Sequence, residues 1–414
     1  MRVSAGFSRL LRLDGIWVRG VQFDTDRVVV WVALRRRRLI CPLCSFSTPH
    51  RHNLQQVEST WRHLDLGVWK LELRAQLRRV ECPEHGVRVE GVPFARHGAG
   101  FTRDFEQLVA WLATRTDKTT IRRLVRVDWD TVGRIIGRVC ANELDADRLH
   151  NLFEIGVDEV SWRKQHRYLT LVADHIRGQI VWGTNGNGAA AADRFFTELG
   201  KPRSQAIEVI SLDMGPGYAK SAREHAPQAI IAIDPFHVVA LANRALDDVR
   251  RAYWNELRQI GDRDAARRFK DARWSLLKAP KNLSENQAAT LRRLRRAGGE
   301  VWRAYTLKEA LRAIFAPGLT IDDVTVLIDR FISKATRSRL EPFIRLGQTI
   351  RRHRDGILYA IRLGINQGRT EALNNKVRLI TRRAYGFHSA NAALALVMLT
   401  CGPITLRPPH EPHQ

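Results

Sequence analysis

Hydrophobic and polar positions alternate along residues 14–39 with the period of two that an extended chain imposes, which predicts two short strands. A second stretch, 62–82, sets Val68, Leu71, Leu73 and Leu77 imperfectly against Lys70, Arg74, Arg78 and Arg79 and reads as a basic, two-sided hairpin. After a linker at residues 98–100 the period lengthens to that of a helix, with Phe105, Leu108, Val109 and Leu112 on one face. Two more helices follow, with Asp117 and Asp130 as their expected starts. From residue 153 the order is three strands joined by tight turns, then helices alternating with two further strands, as in an α/β sheet with an antiparallel edge and a parallel remainder. Residues 236–363 read as mostly helical, opening with one long helix. Thr370 is placed to cap a last basic helix with Glu371 in its first turn. There Glu371, Asn375, Arg378 and Arg382 share a polar face, and Leu373, Val377, Ile380 and Ala384 share the apolar one.

Composition adds a partner to this outline. Hydrophobic residues make up 44% of 414, a globular rather than a disordered content. The 68 lysines and arginines against 43 acids leave a formal charge of +25, which argues for a polyanion, nucleic acid before a membrane. The N-terminus lacks the apolar core of a secretion signal, and the apolar run 390–401 falls short of the roughly 20 residues that span a bilayer. A cytoplasmic, nucleoid-associated protein with no membrane partner is expected. Five cysteines, an odd number, point to metal or free thiols rather than a disulfide framework.

Cys41-Pro-Leu-Cys44 and Cys82-Pro-Glu-His85 are two knuckles that together offer three thiolates and one imidazole, the donor set of a closed structural zinc site. His50 and His52 are spare imidazoles that could replace His85 as fourth ligand. So small a module needs the metal for its folding energy. The three helices after it, with a turn before Asp-Trp-Asp-Thr, have the helix-turn-helix pattern, which would bring Thr131 and Arg134 near DNA bases.

The strand and helix order after residue 153 is that of the ribonuclease H-like fold, with Asp158 on the first strand and Asp213 ending the fourth. Three carboxylates, Asp158, Asp213 and Glu371, could hold two magnesium (or manganese) ions about 3.5–4 Å apart, the arrangement that activates an oxygen nucleophile and neutralises a leaving oxygen. Other groups compete for these roles or shape the site. Glu159 faces away from Asp158, since adjacent strand positions alternate. Asp174 opens a hairpin turn, and Asp234 and His237 flank a strand end as structural neighbours. Ser161, Tyr168 and Tyr218 are not needed as nucleophiles. Asn374, Asn375, Lys376, Arg378 and Arg382 are candidates for phosphate contacts near the cut.

The segments VDEVSW, LDMGPGY, IDPFHVV with NRALDDVRR, and GRTEALNNKVRLITRRAYGF, in this order, resemble the ISL3 family of insertion-sequence transposases, a branch of the DDE transposases. The resemblance runs over nearly the whole chain. It implies a catalytic triad at Asp158, Asp213 and Glu371, cleavage at terminal inverted repeats, joining of the 3′-hydroxyl ends to target DNA, and a homodimer or higher oligomer to pair two ends. Where the family commonly has a second C-x2-C, this chain has Cys82 and His85. The expected organisation is a zinc module over 1–98, a helix-turn-helix domain over 99–148, core over 149–235 and 364–402, a basic helical insertion over 236–363, and a tail over 403–414. Three rival readings are a DNA-binding regulator with an inactive core, a nuclease or resolvase of the same fold that cleaves without joining, and an RNA-binding structural protein.

Overall fold

The alternating apolar positions of the N-terminal third build one mixed sheet. The strands of this third are β1 (Ile16–Phe23), β2 (Arg27–Leu34), the two-residue β3 (Leu39–Ile40) and β4 (Ser47–Thr48), which lie outside that sheet, β5 (Gln56–Leu66), β6 (Trp69–Cys82) and β7 (Gly86–Val89). The order is β1-β2-β6-β5, with β7 on β6 and β3 paired to β4 separately. The expected hairpin is β5 with β6, antiparallel and closed at Leu66↔Trp69, and β6 also pairs parallel with β2, so it is an interior strand. One face buries Leu71, Leu73, Ala75 and Leu77 against Val28, Val30 and Trp61, while Val68 stands 74% exposed in the β5–β6 turn.

We describe residues 2–163, 167–212, 214, 216–233, 235–362, 364 and 367–411 of a computed structural model, with backbone alone at residues 216, 236, 271, 367–371 and 374. Two compact units result, Met1–Asp145 with Leu379–Gln414, and Ala146–Arg378.

Residues 98–100 do not separate two bodies. Bridges Arg62↔Phe101 and Ala95↔Thr102 tie the sheet to the chain that follows. Three helices come next, Arg103–Ala113, Lys118–Val125 and Trp129–Glu143. Buried Arg96 reaches Glu106 at 3.0 Å and also pairs with Glu143, and Arg138 reaches Glu106 at 2.7 Å, so ion pairs lock the sheet's flank to the first and third helices. Asp117 caps the second helix by accepting from the Thr119 and Thr120 amides. The third helix starts at Trp129, one residue before the expected Asp130, with Asp128 at its cap. The helix Ala390–Cys401, expected in the core, instead packs on Trp129–Glu143 within this same unit.

The second unit holds β8 (Glu154–Arg163), β9 (Arg167–Asp174), β10 (Gln179–Asn185), β11 (Val209–Leu212) and β12 (Ile230–Ile233) in the order β10-β9-β8-β11-β12. The first three form an antiparallel meander, and β8, β11 and β12 run parallel. Helices Ala189–Leu199 and Pro216–His225 connect the later strands, and the expected long helix is Pro235–Gln259. One continuous core joins Ile155, Val157, Ile210 and Leu212 of the sheet to Ala304, Phe331, Phe343 and Ile350 of the helical region. That region therefore does not stand apart as an inserted body. It also ends earlier than residue 363, because the helix Arg354–Arg362 packs on β12: a Cβ at Gly356 would lie 2.9 Å from the Ile231 carbonyl.

Candidate active site and DNA-binding elements

Asp158 lies mid-way along β8, where the strand's pleat decides which way each acid points. Its Oδ1 accepts the Glu159 amide at 2.7 Å, and the residue lines a narrow cleft with Gly156, Ser211, His237 and Leu373. Glu159 takes the other side, 3.5 Å from Asn187 Nδ2. Tyr218 lies there too, buried, its hydroxyl 2.8 Å from Thr170 Oγ1, and burial raises its pKa. Asp174 is a turn former as expected: its Oδ1 accepts from the Ile176 and Arg177 amides at 2.8 and 3.0 Å. Asp213 and Asp234 lie outside the described residues.

Leu373 belongs to the helix Gln367–Arg383, which begins before Thr370, so Glu371 sits beyond the first turn and Thr370 is not its cap. Leu373, Val377 and Ile380 are buried, and Asn375, Lys376, Arg378 and Arg382 are exposed, as the period requires. Of the side chains of Glu371 and Asn374 no description is made. Two residues that sequence reasoning missed meet beside Gly156, which lines the cleft. His175 Nε2 meets Ser211 Oγ at 2.6 Å, directly over Gly156. Nothing in a lone histidine after a strand signals such a contact; the glycine two positions before Asp158 is the only sequence trace of it.

In the first unit Cys41, Cys44, Cys82 and His85 bring their donor atoms within 4.8 Å of one another. His52 turns instead to the Glu81 carboxylate at 3.1 Å. Tetrahedral zinc with bonds of about 2.3 Å to sulfur needs its donors about 3.8 Å apart. The observed separations are 3.8 Å (Cys41–His85), 3.6 Å (Cys44–Cys82) and 3.6 Å (Cys82–His85), so the cluster is compatible with zinc. Burial pushes the Cys82 thiol up, but hydrogen bonds from His85, nearby amides and Cys44 outweigh it and hold it down at about 6.

The second and third helices are joined by a turn at Arg126, a non-glycine residue at φ 54. Its guanidinium holds the turn to the β5–β6 loop, donating to Asp65 Oδ2 at 3.0 Å and to the Val68 carbonyl at 2.6 Å. On the third helix Arg134 is exposed, but Thr131 is buried and accepts Arg134 Nη2 at 2.8 Å. The hydrogen bond from Arg134 to Thr131 ties the two expected DNA-contacting side chains together on this helix.

A helix-turn-helix joined to a basic sheet, in one chain with an acid-bearing α/β unit, is the architecture of a DNA transposase. The family profile described as a transposase of the ISL3 type matches residues 155–396, and that of the helix-turn-helix domain of transposase family ISL3 matches residues 90–140. The transposase for insertion sequence element IS1557 of Mycobacterium tuberculosis is 42% identical over 360 residues, 82% of this chain and 81% of that protein. The transposase for insertion sequence element IS1001 of Bordetella parapertussis is 29% identical over 385 residues, 90% of this chain and 92% of that one. The chain belongs to the ISL3 transposase family. Among the described residues no helix is long and apolar enough to cross a membrane.

Proposed function

We propose that the chain cuts DNA at the terminal inverted repeats of its element and joins the freed 3′-hydroxyl ends to target DNA through Asp158, Asp213 and Glu371. The observation that carries this reading is the shared cleft: Asp158 lines it together with Leu373, a neighbour of Glu371 on one helix. Ser211, two residues before Asp213, pairs in register with Gly156, two residues before Asp158. The strand order β10-β9-β8-β11-β12 supports a ribonuclease H-like core.

The acids offer hard oxygen donors, which fits magnesium or manganese, two per site. When bound, such ions supply a deprotonated oxygen nucleophile and a neutralised leaving oxygen. The protein's own part is to hold the acids and place the scissile phosphate. Exposed Asn375, Lys376, Arg378 and Arg382, with Asn374, are assigned to the DNA backbone, and Arg134 to the recognition groove. Cys41, Cys44, Cys82 and His85 would hold a structural zinc that stiffens the reading unit. Four exposed arginines, Arg292, Arg293, Arg295 and Arg296, crowd the helix Glu285–Ala297, which buries no side chain, and fit a surface laid over DNA. Pairing two ends calls for a homodimer or higher oligomer, in the cytoplasm at the nucleoid.

The test uses purified protein and a labelled duplex carrying the element's end, with magnesium or manganese. Wild type is expected to yield cleaved and joined products. D158N, D213N and E371Q are each expected to lose both while retaining DNA binding. Cleavage without joined product would replace this reading with a nuclease or resolvase; binding without either step would leave a regulator with an inactive core.

A further inference from the structure

The sheet of the first unit and the chain that follows it, residues 90–99, enclose a half-open cavity of about 720 Å3 whose lining includes none of the catalytic acids and no residue of the helix Trp129–Glu143. Its volume falls within the roughly 300–1,000 Å3 typical of small-ligand sites. Arg36, Arg88 and Arg103 line it, and none of the three makes an ion pair among the described residues. Glu90 is the single acid lining it, and its carboxylate is already engaged by Arg78 at 2.8 and 2.7 Å. The half-buried Arg36 is left with the Gly91 carbonyl on Nη2, and burial lowers its pKa. The Nε atoms of Arg36 and of buried Arg96, another lining residue, have no hydrogen-bond partner.

Half-buried Arg36 with exposed Arg88 and Arg103 outnumber the one acid, whose carboxylate Arg78 already holds, so the lining favours an anion, and the Nε donors without acceptors favour one rich in oxygens. Apolar Ile40, Trp61, Val89 and Val92 line it as well. An anionic head with a flat, poorly hydrated body matches both sets of lining groups. We propose that this cavity binds a nucleoside monophosphate unit, the phosphate on Arg36, Arg88 and Arg103 and the base along the apolar groups. The unit comes either from free nucleotide or from a nucleotide lifted out of a DNA strand, and the helix-turn-helix in the same unit favours the strand. The inference rests on DNA binding by this unit but not on the catalytic triad.

Calorimetric titration of the full chain with dAMP, deoxyadenosine and inorganic phosphate tests it. Binding of dAMP about tenfold or more tighter than either part alone is expected, with a loss of about tenfold in Arg36→Gln and in the double variant Arg88→Ala with Arg103→Ala. Arg88 and Arg103 are exposed, so the double variant is expected to melt as wild type does and keeps the result readable. Inorganic phosphate binding as tightly as dAMP, or a double variant with unchanged affinity, would overturn the proposal. A second arm places 2-aminopurine near the end of the element duplex. A fluorescence rise that disappears in the double variant assigns the source to DNA, and dAMP binding with a silent duplex assigns it to free nucleotide. D158N is expected to bind dAMP normally, so failure of the catalytic reading leaves this one standing.

Discussion

Gly156 shows how one missing side chain sets the chemistry of a sheet. A Cβ there would stand 2.8 Å from both Cε1 and Nε2 of His175 and 3.1 Å from Ser211 Oγ, so only glycine lets the imidazole lie across the strand beside Asp158. Gly156→Ala is expected to cost about 1–3 kcal/mol by overpacking, read as a lower Tm, and to depress strand transfer by shifting the cleft's lining. A variant with unchanged melting and activity would show that the lining yields freely. His63 offers a pH test in the other unit. It is 5% exposed, its Nδ1 2.8 Å from Thr102 Oγ1, and burial lowers its pKa from 6.5 to about 4. The unfolded chain therefore takes up this proton first on acidification. Its contribution is fully present above pH 6.5 and is lost as the pH falls toward 4, by up to about 3 kcal/mol. Melts at pH 7 and pH 5 are expected to drop less in His63→Gln than in wild type; equal drops would mean His63 is charged in the fold. Both residues sit in contacts between distant segments, which is why the sequence was silent on them. Asp158, by contrast, follows a short apolar run, a signal that is local in the sequence.

At the scale of elements, the knuckles carry the clearest dependence. β3 and β4 have two residues each, and the loop they support closes through the Cys41 amide on the Phe46 carbonyl at 2.9 Å. So little hydrogen bonding does not hold a loop against its conformational entropy, so a metal at the Cys3His cluster would be its main fastening. Chelation, or Cys82→Ser, is expected to lower the Tm of the first unit and weaken binding to the element's end, with zinc restoring the chelated wild type but not the variant. No response to chelator would leave four buried donors that hold no metal. Asp117→Ala removes the cap that accepts two amides, and is expected to cost about 1 kcal/mol. Most elements were readable from period alone. Boundaries were less so: the third helix begins at Trp129 because Asp128 already has extended backbone, and the last basic helix begins at Gln367, three residues before the expected cap. The parallel pairing of β2 with β6 was not readable at all, since no turn or spacing encodes a partner 43 residues away in Arg27↔Lys70.

For the whole molecule, the instructive residues are those after Arg378. Sequence order assigns them to the catalytic core, and the matched family profile runs to residue 396, yet Leu379–Gln414 joins the N-terminal unit. The helix Ala390–Cys401 is apolar nearly all round and buries Ala393, Leu396, Val397, Met398 and Leu399, which a helix does only when it has neighbours on several sides. Part of its neighbourhood is the helix-turn-helix: Ile121, Ile136 and Trp129 line a cavity with Leu396 and His388, and Trp129 meets His388 edge-on at 5.9 Å. Arg383 adds a hydrogen bond to the Thr114 carbonyl at 2.9 Å. Hydrophobic content revealed that this helix is buried, but no periodicity names the surface that buries it. The reading unit is therefore complete only with its C-terminal segment. A fragment of residues 1–145 is expected to expose Ile136 and its neighbours, bind a hydrophobic dye and melt well below the full chain's first transition. Residues 379–402 supplied as a separate peptide are expected to raise that melting temperature and suppress the dye signal. A fragment that folds and binds the element's end unaided would mean the C-terminal helix rests on a surface already stable without it.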